Sequence, residues 1–192
     1  MSINKNIKKY TGVSAQTPVV CNVKMKKLKE LIELISKDSN CKIIEPNTEI
    51  IIDRKIPDDL DLFFKLTNGI SLFENESFGI KVIGKEEFIS TNKYLYPEDD
   101  VIWEELDGDV TNEWFLIAKS SELAQYISID LTEQNFGKCY DSYLSTHGEE
   151  GMSDILANSF TELLWHLYNS KGKGESWFWN KREFEKIGDA FD

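Results

Sequence analysis

IPDDLDLFFKLTNGISLF, residues 56–73, is the stretch that decides the architecture of this 192-residue chain. Pro57 supplies the fixed φ that suits a first helical turn, and Asp58, Asp59 and Asp61 put negative charge at the positive end of a helix dipole. A short helix starts there. Leu60, Phe63, Phe64 and Leu66 give it an apolar face, and Asn68-Gly69 offers the left-handed backbone that stops it before an apolar run resumes at Ile70.

Upstream, Met25, Leu28, Leu31, Ile32 and Ile35 recur at helical spacing in a segment rich in Lys and Glu, which predicts an amphipathic first helix with order beginning near Val23. The β-branched runs at 42–45 and 49–53, parted by Pro46-Asn47, predict a small strand or extended pair. Downstream, 78–83 alternates and ends at Gly84, 86–91 reads as a short added strand, and 114–118, 125–131 and 138–143 complete a β region. Turn signals part these runs without regular crossover helices, so the sheet is expected to be mainly antiparallel. Residues 152–169 read as the last helix, with Leu156, Phe160, Leu163, Leu164 and Leu167 in one stripe and Ser153 or Asp154 near the N-cap. The expected class is α+β, with N-terminal helices and a C-terminal helix packed on the sheet. A flexible basic arm (1–22), one domain (23–170) and an aromatic tail (171–192) divide the chain. Trp177, Phe178 and Trp179 of the tail fit either a hydrophobic lock folded onto the domain or an exposed partner patch.

In its order of features the chain resembles the SMI1/KNR4 family, also called the SUKH superfamily, over residues 28–168. An Ile-Pro-led helix ends in Asn68-Gly69, strand-like 78–83 follows, 114–118 leads into 126–131, then 137–143, and Ser159-Phe160 opens the last helix. One departure is the link Lys119-Ser120-Ser121-Glu122-Leu123, where the family commonly carries Asp and Gly; a longer or partly helical connection is expected in place of a tight turn. The resemblance implies a binding protein. Bacterial members are associated with immunity against polymorphic or contact-dependent toxins, often nucleases, which they neutralise by direct binding; fungal members are linked to cell-wall synthesis and signalling. Abundant Lys, Ile and Asn, as in AT-rich bacterial genomes, favour the bacterial reading. The alternative is an intracellular scaffold or regulatory module without a toxin partner.

Composition narrows the field further. With 41% hydrophobic and 12% aromatic residues the chain can bury a sizeable core, and no apolar run approaches the ~20 residues of a membrane span. Residues 1–10 lack the apolar stretch of a secretory signal, so the cytoplasm is the expected compartment. Cys21, Cys41 and Cys139 lie far apart and read as separate reduced thiols. A net charge of −12, from 34 acidic and 22 basic side chains, argues against gripping nucleic-acid phosphates. Because residues 1–29 hold seven Lys and no acid, the remaining body carries a net −19.

The acidic segment 97–113, PEDDVIWEELDGDVTNE, has eight carboxylates and no Lys or Arg. Trp103 sits amid Asp99, Asp100, Glu104, Glu105, Asp107 and Asp109, the composition of a surface that docks a basic toxin domain: charge speeds encounter and the ring supplies desolvated area. A solvated connection is the competing reading, and Glu149, Glu150 and Asp154 are then the next acids to consider. Asp107-Gly108-Asp109 lacks the spaced ligands and terminal Glu of an EF-hand loop, so no metal is expected. His147 is expected in an exposed loop, held protonated by neighbouring acids, and His166 within the last helix as a packed or edge residue. Neither HExxH, GxSxG nor a glycine-rich phosphate loop occurs, and Cys139 reads as a buried strand residue without a basic partner. The expected protein is therefore a binding protein with no catalytic residues and no cofactor; its oligomeric state is open, and a monomer is assumed.

Overall fold

The strands beyond residue 40 are short, and each pairs with the strand next to it in chain order. A computed structural model describes residues 18–47, 49–106, 108–120, 123–173 and 187–192, with side chains for all of these except 18–24 and 105. Among the described residues, β1 (Cys41–Ile43), β2 (Ile70–Leu72), β3 (Ile80–Val82), β4 (Trp114–Ser120), β5 (Tyr126–Asp130), β6 (Cys139–Asp141) and β7 (Ile155–Ala157) form one seven-stranded sheet in chain order. Every neighbouring pair is antiparallel. Among the described residues five α-helices accompany it: α1 (Pro18–Ser36), α2 (Asp58–Leu66), α3 (Thr91–Leu95), α4 (Ile102–Glu105) and α5 (Phe160–Ser170). The α+β class and the antiparallel sheet agree with the sequence reading.

Ile70, Leu72, Ile80, Val82, Ile127, Ile129 and Cys139 join one core with Leu28, Leu31 and Ile35 of α1, Phe63 and Phe64 of α2, and Phe160, Leu163, Leu164 and Leu167 of α5. The Phe63 and Phe160 rings meet at 4.7 Å. Beside them lies a buried polar contact: Asp59 Oδ2 accepts from both Thr161 N and Thr161 Oγ1 at 2.9 Å, supplying an acceptor and a negative charge to the first turn of α5. The acidic first turn of α2 is as expected, and one of its acids thus serves a different helix.

Several expected elements change in the structure. The first helix begins at Pro18, not near Val23, because proline is tolerated in a first turn. The helix after Pro57 stops at Thr67, in extended backbone, and the left-handed residue is Gly69 (φ 110°) in the turn to β2, where a Cβ would stand 2.8 Å from Val82 O. Residues 49–53 pair with no strand. In place of a strand at 86–91 the chain makes a 3-10 turn (Lys85–Glu87), a single bridge from Ser90 to Phe115, and α3. The predicted helix at 152–169 divides into β7 and α5, because Ile155-Leu156-Ala157 is a short apolar run that either structure can bury. Ser159, and neither Ser153 nor Asp154, is the N-cap: its Oγ accepts from Glu162 N at 3.3 Å while Glu162 Oε2 accepts from Asn158 N at 2.9 Å. The β4–β5 link is longer than a tight turn, β4 ending at Ser120 and β5 starting at Tyr126. Residues 1–17 of the arm, and Trp177, Phe178 and Trp179 of the tail, lie outside the described residues. No described helix is long and apolar enough to cross a membrane.

Phe160 and Leu163 are fully buried. Phe160→Ala and Leu163→Ala are each expected to cost ~2–5 kcal/mol in denaturant melts, and losses below about 1 kcal/mol at both sites would contradict this core. Asp59→Ala, which strips the acceptor from Thr161, is expected to cost about 1–3 kcal/mol.

Candidate functional site

Strand register sorts the side chains by face, because residues directly opposite each other in neighbouring strands point the same way. Ser71, Lys81, Lys119 and Tyr126 are successive partners across β2 to β5, on the face turned away from the Ile70, Ile80 and Ile127 core. The chain from 85 to 113 covers this second face. Glu87 accepts from both Lys81 and Lys119; burial works against its charge, but the two lysines outweigh that and hold its carboxyl below the ordinary value. Tyr94 of α3 meets Tyr126 edge-on at 5.4 Å. Thr91 Oγ1 bonds Ser128 Oγ at 2.7 Å, which bonds Ser142 Oγ at 2.6 Å, a run of buried hydroxyls satisfied among themselves. Nearby, Trp114 stacks on Tyr140 with ring centroids 4.4 Å apart and donates Nε1–H to buried Asp130.

The acidic segment 97–113 leaves the end of α3 and is built from two short helical turns, α4 and a 3-10 turn over Val110–Glu113. Trp103 is half-buried, its Nε1–H donating to Pro97 O at 2.7 Å, so the ring closes the loop on itself. Asp100 Oδ1 accepts from Ile102 N at 3.0 Å. Asp109 caps the 3-10 turn, accepting from Thr111 N at 2.8 Å and Thr111 Oγ1 at 2.7 Å. A relay then runs inward: Asn92 Nδ2 donates to Thr111 Oγ1 at 2.9 Å, and Asn92 Oδ1 lies 2.8 Å from His147 Nε2. With the Asn92 amide donating to Thr111, its oxygen takes the Nε2–H of His147, which leaves buried Nδ1 as a lone pair with no partner among the described residues. At Gly148 a Cβ would come within 2.8 Å of Thr111 Cγ2, so glycine permits the 147–150 loop to lie against the acidic segment.

Asp99, Asp100 and Glu104 are exposed and Trp103 lies among them. Asp109 is half-buried and committed to its cap; the Glu105 side chain and Asp107 lie outside what is described. Glu113 leaves the acidic face, since Arg54 reaches it at 2.9 Å while lying 4.0 Å over the Phe115 ring. His147 corrects the sequence reading. It is 9% exposed, and burial, opposed weakly by Asp109, lowers its pKa to about 4, so it is neutral where protonation was expected. Two further residues emerge. Burial first, then the charges of Asp109, Asp100 and Glu149, push the Tyr96 phenol up, which places acids from two loops around one half-buried ring. No local signal in the sequence joins Tyr96 to Glu149; their proximity depends on the sheet beneath. Cys139 is fully buried and its thiol is pushed well above the ordinary value, chiefly by burial, which disfavours a thiolate. His166 lies on α5, 3.9 Å from Glu162.

Because burial depresses the His147 pKa, the unfolded chain takes up the proton first as pH falls. This group contributes no pH dependence above about 6.5, lowers stability between about 6.5 and about 4, and levels off below. The loss is about 3 kcal/mol. Denaturant melts across pH 7 to 3.5 are expected to reveal this slope, and His147→Gln to remove it.

The family model of SMI1 / KNR4 (SUKH-1) matches residues 47–165. The chain is also 32% identical over 164 residues to the immunity protein YokJ of Bacillus subtilis (strain 168), covering 84% of this chain and 94% of that protein. The match holds α2, the turn at Gly69, strands β2 to β7 and the first half of α5, the same features that position the acidic segment. The chain belongs to the SMI1/KNR4 (SUKH-1) family.

Proposed function

We propose that this protein is an immunity protein that neutralises a basic toxin domain of nuclease type by direct binding, with Asp99, Asp100, Trp103, Glu104, Glu105, Asp107 and Asp109 on the docking surface. Its similarity over most of its length to an immunity protein supports the general role. The observation that carries the binding face is the braced acidic segment: Asp99, Asp100 and Glu104 face solvent on a loop closed by the Trp103–Pro97 bond and anchored through Asp109, Thr111 and Asn92. A surface ordered before binding loses less conformational entropy on docking, and concentrated negative charge steers a basic partner. Glu149 extends the field from the neighbouring loop. Neutralisation in this reading needs no catalytic group and no cofactor, and the protein acts as a cytoplasmic monomer.

The test is a kinetic binding assay against the toxin domain encoded beside this gene. Association of the parent is expected to slow steeply as salt rises. Neutralising Asp99 and Asp100 together should mainly slow association, while Trp103→Ala should mainly speed dissociation. Variants that remain folded and bind like the parent would move the docking surface elsewhere.

A further inference from the structure

Among the described residues the sheet ends at β7, so without residues 187–192 the main-chain groups on its outer side would stand open as a template for another strand. The last residues of the chain close that edge. Ile155 N donates to Gly188 O at 3.0 Å and Ala190 N donates to Ser153 O at 3.1 Å, about an antiparallel bridge between Asp154 and Asp189. Asp189, 8% exposed, turns its carboxylate into a cluster of main-chain donors: Gly151 N at 3.2 Å and Ser153 N at 3.1 Å from the domain, and Phe191 N at 3.2 Å from its own segment. Asp192 in turn accepts from Asp189 N at 2.7 Å. Ala190 packs against the Trp114, Tyr140 and Ile155 cluster.

What holds this segment is main-chain pairing and one carboxylate. Its large apolar side chains, Ile187 and Phe191, are each 42% exposed, so their burial is partial and the main-chain bonds set the register. Contacts of this type are the ones by which an exposed sheet edge recognises an extended peptide, with backbone bonds supplying affinity and a side-chain site supplying selectivity. The selectivity is legible in the geometry. Two main-chain N–H groups of the domain, those of Gly151 and Ser153, grip an acidic side chain, which favours an aspartate at the bridging position.

We propose that the outer edge of β7 is a strand-addition site for an extended segment carrying an aspartate at the bridging position, and that residues 187–192 are its resident, exchangeable occupant. The site shares no residue with the acidic surface at 97–113, so it stands whether or not that surface binds a toxin.

The test uses the full chain with Asp189→Ala, and Asp192→Ala as a milder change at an exposed position. The probe is a labelled synthetic peptide of residues 187–192, IGDAFD, and a control, IGAAFD. In Asp189→Ala, amide exchange at Ile155 is expected to accelerate by about tenfold or more, with a smaller rise in Asp192→Ala. IGDAFD should bind the Asp189→Ala chain saturably and about tenfold or more tighter than it binds the parent, whose edge is filled; IGAAFD should not bind. Unchanged Ile155 exchange in both variants overturns the proposal, as does faster exchange without saturable peptide binding. A concentration-dependent dimer of Asp189→Ala that excludes the peptide also overturns it, since a second copy would then be the occupant. Should Asp189→Ala fail to fold, Asp192→Ala decides through Ile155 exchange and IGDAFD binding alone.

Discussion

The carboxylate of Asp59 against the first turn of α5 is the contact on which the helical layer depends. It joins residues 102 positions apart, caps donors that α5 cannot satisfy internally, and lies beside the Phe63–Phe160 ring pair that seals the same junction. A buried charge is tolerated there because main-chain and hydroxyl donors meet it. Through this junction α2 and α5 cover one face of a meander whose strands, several only three residues long, could not stay paired without a packed layer.

With that face covered, the other has to be closed by something, and the chain between β3 and β4 does it. The closure is largely polar, with Glu87 between two lysines, linked hydroxyls from Thr91 to Ser142, and Asn92 between Thr111 and His147. Polar closure of a sheet is demanding, because each buried donor and acceptor must be matched, and it fixes geometry more sharply than apolar packing does. The result is that an acidic loop is held in one shape while its outermost carboxylates stay in water. For the proposed docking of a basic partner, that division suits the physics: steering charge costs nothing in desolvation when exposed, and the bracing that orders the loop is complete before any partner arrives. The outer edge of β7 is settled by similar means, through backbone pairing and one well-satisfied carboxylate.

Much of this could be read from residue order. The acidic start of α2, the stripe of Phe160, Leu163, Leu164 and Leu167, the short alternating strands and the antiparallel class all follow from local periodicity and turn chemistry, which act over a few residues and leave a pattern in the chain. The concentration of acid around Trp103 is likewise visible in composition. What residue order left undecided depends on partners distant in sequence. Whether Ile155-Leu156-Ala157 forms a strand depends on β6 being there to pair with it, and whether 86–91 pairs or coils depends on Lys81 and Lys119 meeting Glu87. His147 was misjudged because its neighbours in sequence are acids while its neighbours in space are Asn92, Tyr96 and Trp114, and burial outweighs the surrounding charge. By itself the sequence determined most of the elements, the class and the acid; only the tertiary structure decided which short apolar runs pair, which carboxylates face water, which are caps, and which edge of the sheet residues 187–192 close, because those outcomes are set by desolvation and hydrogen bonding between residues that local pattern cannot bring together.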